Sequence, residues 1–167
     1  MPRANLAFDP EFFKALQGED ELGLVVRAHI HIEAKVLELL ALCADSNFLE
    51  KMNLDYSQRV QLAVALGLKE EHARGLQALG KLRNIFAHKL NSSLTDERVD
   101  NLYKALSSIE RDVIQRAYQT TEANLKRFEG RKFNQLPPRE RFEFIVSAMQ
   151  VVVISAINEK KSKGHSA

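Results

Sequence analysis

The sequence predicts an all-α protein, a compact bundle of five to seven helices. Three observations carry that prediction. Apolar residues recur at steps of three and four along most of the chain, the spacing that gives a helix one buried stripe. Hydrophobic residues make up 45% of the 167, and only 7 Gly and 4 Pro interrupt them, few for a fold built on tight turns. Asp, Thr and Pro stand where the periodic stretches begin, at positions that cap or start a helix.

Asp9 and Pro10 cap and start a short helix to about Gln17, with Gly18 as its stop. A long helix follows from about Asp20 to Ala44. Asp45, Ser46 and Asn47 break it, and a short helical turn through Lys51 comes next. Asp55 caps a helix that ends at Gly67. The next helix runs from about Lys69 to His88. A polar loop, 91–94, leads to Thr95, with Arg98 where a capping box would prefer Glu. From Asp96 to Phe128 the pattern stays helical, either as one helix or as two joined near Ser107 and Ser108.

After a basic loop, Pro137 and Pro138 start a final helix to about Lys160. It is apolar on nearly all sides from Phe144 to Ile157, the pattern of a helix in the middle of a bundle. A competing reading makes it half core and half subunit interface, which points to a homodimer. No repeat or linker divides the chain. The expectation is one domain over residues 1–160 and a disordered basic tail over 161–167.

This length is enough to bury a real core. The single cysteine, Cys43, cannot form an internal disulfide, which suits a reducing compartment. Cys43 aligns with Val25, Ile32, Val36 and Leu39 and reads as a core residue. Net charge is +2, and without Lys160, Lys161 and Lys163 the 24 basic groups fall to 21 against 22 acidic ones. No overall basic field draws nucleic acid to such a body. Residues 1–20 are charged and lack the long apolar run of a signal peptide. The most hydrophobic stretch, 144–157, is interrupted by Ser147, Gln150 and Ser155 and falls short of the ~20 residues a bilayer requires. A cytoplasmic protein without membrane contact is expected.

Arg83, Asn84, Ile85, Phe86, Ala87 and His88 form the most informative segment. It combines a permanent cation, a hydrogen-bonding amide and a group that titrates near neutral pH. Leu76, Leu79, Leu82, Phe86 and Leu90 form the buried stripe of their helix. Arg83 falls about 20° from Leu76 and Leu90, and His88 lies about 140° around the helix from Arg83. Asn84 and His88, four apart, share a side. Between the two arms, Ala73, Gly80 and Ala87 make a strip of small residues, a floor that a partner helix or ligand could approach. A plainer reading has Arg83 reaching an acidic neighbour and His88 complementing the helix dipole.

Other candidates are fewer. Any RNA contact would rest on Lys81, Arg83 and Lys89, with Arg27 and Lys35 from the long second helix. His31 shares a face with Arg27 and Lys35 and would extend a phosphate-binding surface. His29 lies on the apolar stripe with Val25, Ile32 and Val36 and reads as a hydrogen-bonded core histidine. His29 and Glu33 have the four-residue spacing of two metal ligands, but no third or fourth ligand stands at a recognisable spacing. No metal or cofactor is expected. There is no glycine-rich phosphate loop, serine nucleophile elbow or zinc cysteine pattern, so most familiar enzyme classes lack their motif here.

The segment Leu82-Arg83-Asn84-Ile85-Phe86-Ala87-His88 resembles the signature of the HEPN superfamily, all-helical domains marked by Arg, four to six residues, then His. Asn84 matches the polar residue that usually follows the Arg. The segment Tyr56–Leu68 before it and Ser93-Leu94-Thr95-Asp96 after it look like the mannitol operon repressor (MtlR) branch. The likeness covers roughly residues 20 to 107, and the last sixty residues carry no matching motif. Many HEPN proteins are metal-independent endoribonucleases of toxin–antitoxin or phage-defence systems. They act as dimers that bring two Arg/His pairs together. The repressor branch is associated with transcriptional regulation. Fold is inherited more readily than activity.

Two functions follow as expectations. In the first, the chain cleaves RNA without metal, with His88 as acid and base, Arg83 on the phosphate and Asn84 as a positioning group. In the second it is a non-catalytic regulator or interaction module, with an antitoxin or regulatory protein as partner, and Arg83 holds a carboxylate across helices.

Overall fold

Loop side chains set where most of the helices begin. The computed structural model describes residues 10–89, 91–126 and 128–164. Its helices are α1 (Pro10–Leu16), α2 (Glu21–Ala41), α3 (Ser46–Lys51), α4 (Tyr56–Ala65), α5 (Glu70–His88), α6 (Asp96–Ala105), α7 (Ser108–Leu125) and α8 (Pro138–Gly164), with one 3₁₀ turn at Phe133–Gln135. No strand occurs among the described residues. The all-helical class predicted from the sequence is therefore observed. The expected cap Asp9, the stripe residue Leu90 and tail residues 165–167 lie outside the described residues.

Asp20, Asp45, Asp55, Thr95 and Ser107 each accept a backbone N–H from the first turn that follows. Such caps contribute about 0.5–2 kcal/mol each. Asp55 and Gln58 form a reciprocal box, both bonds 2.9 Å long. Ser107 and Glu110 form a second one, and it divides the 96–128 stretch into α6 and α7. With that break and the short α1 and α3 standing as helices of their own, the described residues form eight α-helices where five to seven were expected.

α8 runs through the middle, against α2 and α7 along its length and against α1, α5 and α6 as well. Phe142, Ile145, Val146, Ala148, Met149, Val153 and Ile157 are all buried. By length and composition α8 is apolar enough to cross a membrane, but 67% of that apolar window is buried against the other helices, as in a core helix. No apolar face of α8 remains for a subunit contact on the scale expected. The helix also continues past Lys160 to Gly164, so residues 161–164 of the expected tail are helical. Lys161 reaches Glu38 of α2 at 2.9 Å, which helps hold that end in place.

One polar cluster inside the bundle went unforeseen. Glu110 is fully buried and accepts the Ser107 N–H at 2.8 Å. His72, also buried, places Nδ1 3.3 Å from the Ser107 hydroxyl and 3.4 Å from the Glu110 carboxylate. The capping box is thus extended across to α5. Pairing of this kind is what makes a buried carboxylate tolerable.

α4 crosses α5 at Gly80. A Cβ on Gly80 would lie 2.8 and 2.9 Å from two ring carbons of Tyr56. That ring has little freedom to move, because its hydroxyl donates to the Leu76 carbonyl at 3.1 Å and its face lies 4.3 Å from the His29 ring. Replacing a mid-helix glycine by alanine normally stabilises by about 1 kcal/mol. Here the overlap with the ring outweighs that gain. Gly80→Ala is expected to destabilise the fold by about 1–3 kcal/mol, read as a lower urea midpoint with an unchanged slope.

Candidate functional site

α5 buries Leu76, Leu79, Leu82 and Phe86 and turns its other side outward over its last two turns. Arg83 is half-buried, and Asn84, Ala87 and His88 are exposed. His88 is the last residue of the helix, where the terminal carbonyls favour a positive charge. One of those carbonyls, Ile85, accepts the Lys89 N–H at 3.1 Å and the Ser92 hydroxyl at 3.2 Å. The His88 imidazole makes no hydrogen bond or ion pair among the described residues, and the same holds for the Asn84 carboxamide.

Around Arg83 the groups come from three helices. His29 of α2 is 2% exposed and packs against Tyr56 of α4, the ring centroids 4.3 Å apart and the planes tilted by 52°. Its Nδ1 lies 3.8 Å from a Glu33 oxygen, too far for a hydrogen bond, and its Nε2 is buried without a partner. The sequence expectation of a hydrogen-bonded core histidine is therefore half right: the ring is buried, but it is packed against a tilted tyrosine ring rather than hydrogen-bonded among the described residues. Burial, and then the charge of Arg83, push the His29 pKa below its ordinary 6.5, while Glu33 opposes the shift. Burial and Glu33 push the Tyr56 phenol upward against Arg83.

The carboxylate in this cluster is already taken. Glu33 bonds Arg59 of α4 at 2.6 Å. Arg83 has no ion pair among the described residues. The plainer reading of the sequence gave Arg83 an acidic partner across helices, and no such partner is present among the described residues. Sequence reasoning treated Glu33 only as a possible metal ligand and overlooked Arg59. Spacing offered no signal for the pair, because Glu33 and Arg59 belong to different helices and meet only through packing.

The remaining predicted residues divide into two groups. Lys81 and Lys89 are exposed on or next to the outer side of α5. Arg27, His31 and Lys35 point elsewhere. Arg27 pairs with Glu19 at 2.7 Å, His31 meets the Phe12 ring edge-on at 5.4 Å, and Lys35 bonds Glu38 at 3.0 Å. They sit about 160–240° around α2 from His29, so one continuous RNA surface joining them to Arg83 is not formed. The strip of small residues is corrected too. Gly80 lies beneath Tyr56 and serves helix packing, so the exposed part of the strip is reduced to Ala87.

Cys43 is half-buried, with Sγ 3.9 Å from the Leu66 carbonyl. No group of three or more His, Cys, Asp or Glu among the described residues is placed to hold a metal ion. Compared with protein-family models, curated proteins and solved structures, the chain matches none.

The buried His29 gives the site a pH dependence of known sign. Its folded pKa lies below 6.5, so the unfolded chain takes up this proton first as the pH falls. The native state is then favoured less, and stability is lost below about pH 6.5 until the folded pKa is reached. Urea midpoints at about pH 7.5 and about pH 5.5 should differ less in His29→Gln than in the wild type. Equal differences in the two proteins would remove His29 as the cause.

Proposed function

We propose that the chain is a HEPN-type, metal-independent endoribonuclease that cuts RNA through attack by the 2′-hydroxyl. The observation that carries this reading is Arg83, a half-buried guanidinium that has no ion pair among the described residues. An arginine kept for architecture would be expected to hold a carboxylate. Instead this guanidinium acts on a histidine disfavoured in its charged form, with an exposed amide and an exposed imidazole on the same helix.

RNA supplies its own nucleophile, so the protein has only to move protons and stabilise charge. His88 takes the 2′-hydroxyl proton, and a second His88 protonates the departing 5′-oxygen. The products are a 2′,3′-cyclic phosphate and a 5′-hydroxyl. The forked donors of Arg83 suit the non-bridging phosphate oxygens as charge builds on them. Asn84 positions His88 or the phosphate, and Lys81 and Lys89 extend the contact along the RNA backbone.

A second copy of the chain is the required partner. Arg83 and His88 diverge by about 140° on one helix, so a single chain does not converge both on one phosphate. α2 and α5 run antiparallel: His29 meets Gly80, and Glu21 accepts the Leu94 N–H just beyond α5. The first half of α2 therefore borders the end of α5. There Leu22, Val26 and Ile30 form a stripe at four-residue spacing, with Leu22 45% and Ile30 55% exposed. A two-fold contact centred near Val26 would set Leu22 against Ile30 of the partner and bring the two α5 ends together. The reading places this activity in the cytoplasm.

The regulator reading draws support from the balanced charge, since Glu19 and Glu38 neutralise Arg27 and Lys35. Cleavage of total RNA with end mapping separates the two. His88→Ala is expected to cut at least ~10²-fold more slowly with stability changed by no more than about 0.5 kcal/mol. Arg83→Lys should also be impaired, because an ammonium lacks the fork, and EDTA should have no effect. Ile30→Glu is expected to sediment as a monomer and to lose cleavage with its partner. Loss of cutting in EDTA, or undiminished cutting by His88→Ala, would sink the mechanism. No cutting by any of the proteins would favour the regulator.

A further inference from the structure

We propose that the cavity between α6, α7 and residues 130–134 binds a small planar ring carrying an anionic group. This site is separate from the end of α5 and does not depend on the nuclease reading. The cavity holds about 400 Å³, within the ~300–1,000 Å³ of small-molecule sites. Such sites pair apolar and aromatic walls with a few fixed polar groups, and both are present.

The aromatic wall is formed by Tyr103, Tyr118 and Phe133. Tyr103 and Phe133 lie 5.6 Å apart with their planes at 38°, and Tyr118 stands 76° to Phe133 at 6.1 Å. Tilted rings of this kind offer both faces and edges to a flat guest. Around them stand Lys132, Arg141 and Arg131, which pairs with Glu129 at 3.3 Å, and Asp100 is the carboxylate of the lining among the described residues. Lys132 is exposed and has no ion pair among them.

Arg141 is the less usual group. Its side chain is 4% exposed, its Nη1 bonds Asp100 at 2.6 Å and its Nη2 bonds Asp96. The Nε–H is buried without an acceptor. Two carboxylates therefore leave one donor of a cavity-lining guanidinium unsatisfied among the described residues.

The basic rim is held in place by the chain. The Glu122 carboxylate accepts the N–H groups of Phe128 at 2.8 Å and Gly130 at 2.9 Å, and the Tyr118 hydroxyl bonds the Arg131 carbonyl. Lys126, Glu129 and Gly130 all have left-handed backbones, with φ of 47°, 53° and 75°. For the two non-glycine residues that conformation is disfavoured, and the surrounding bonds must enforce it. The outcome is a curled loop that presents Arg131 and Lys132 beside the rings. Rings with adjacent fixed cations select a flat molecule with a negative end, either an aromatic carboxylate or a mononucleotide.

Titration of the full chain with 4-hydroxybenzoate and with AMP, followed by amide NMR, tests the site and separates the two sources. At least one should saturate, with the largest shifts at Tyr103, Tyr118 and residues 130–134. Phenol and acetate, each carrying half of the chemistry, should bind at least about tenfold more weakly. Lys132→Glu and Arg131→Glu alter exposed side chains, so their circular dichroism should match the wild type while binding weakens about tenfold or more. The proposal is overturned if neither ring anion saturates by about 1 mM. It is equally overturned if the shifts map elsewhere, if phenol or acetate binds as tightly, or if both variants bind like the wild type.

Discussion

Enclosing α8 on every side is the constraint from which the arrangement of the other helices follows. Each buried Ile, Val or Phe of α8 contributes about 1.5–3 kcal/mol, whereas an exposed ion pair contributes about 0–1 kcal/mol. Apolar burial therefore decides that α8 is central, and the polar contacts decide how it is seated. At its start Arg139 bonds the carbonyls of Leu16 and Glu19, tying it to the end of α1. Arg141 reaches back to Asp96 and Asp100 of α6. Ser147 returns its hydroxyl to the Glu143 carbonyl and so needs no partner from another helix.

α2 packs along α8 and carries α4 and α5 on its other side. That placement sets His29 and Tyr56 in the fields of both Arg83 and Glu33. Arg59 takes the Glu33 carboxylate, and Arg83 has no ion pair among the described residues. A second positive charge on His29 would be unwelcome beside it, which agrees with the lowered pKa. The tight fit of Tyr56 over Gly80 keeps these groups in register, since α4 could not approach α5 as closely over any larger residue. Local charge at the end of α5 thus arises in a protein whose overall charge is only +2.

Much of the helical layout was legible locally. Asp20, Asp45, Asp55 and Thr95 cap helices because a short oxygen-bearing side chain can reach the N–H groups of the first turn wherever the helix later packs. The break at Ser107 was visible as one of two alternatives, and the Ser107–Glu110 box shows which one the chain adopts. The exposure of Asn84 and His88 also followed from helical periodicity. The purpose of Gly80 did not. A small residue on a helix face signals a close approach without naming what approaches, and here it is a tyrosine from α4. His72, Glu110 and Arg141 were missed for a related reason, since a charged residue within a helix reads as solvated until a partner from elsewhere encloses it.

By itself the sequence determined the all-helical class, most helix starts, the central burial of the last helix and the placement of Arg83, Asn84 and His88 on one helix. These depend on contacts within a few residues, or on the period of the helix. Only the tertiary structure decided that Glu33 pairs with Arg59, that Arg27, His31 and Lys35 face away from α5, and that α8 leaves no broad face for a subunit contact. Each of those outcomes depends on how helices distant in sequence are rotated against one another. That rotation is set by the sum of many apolar contacts, which no local spacing encodes.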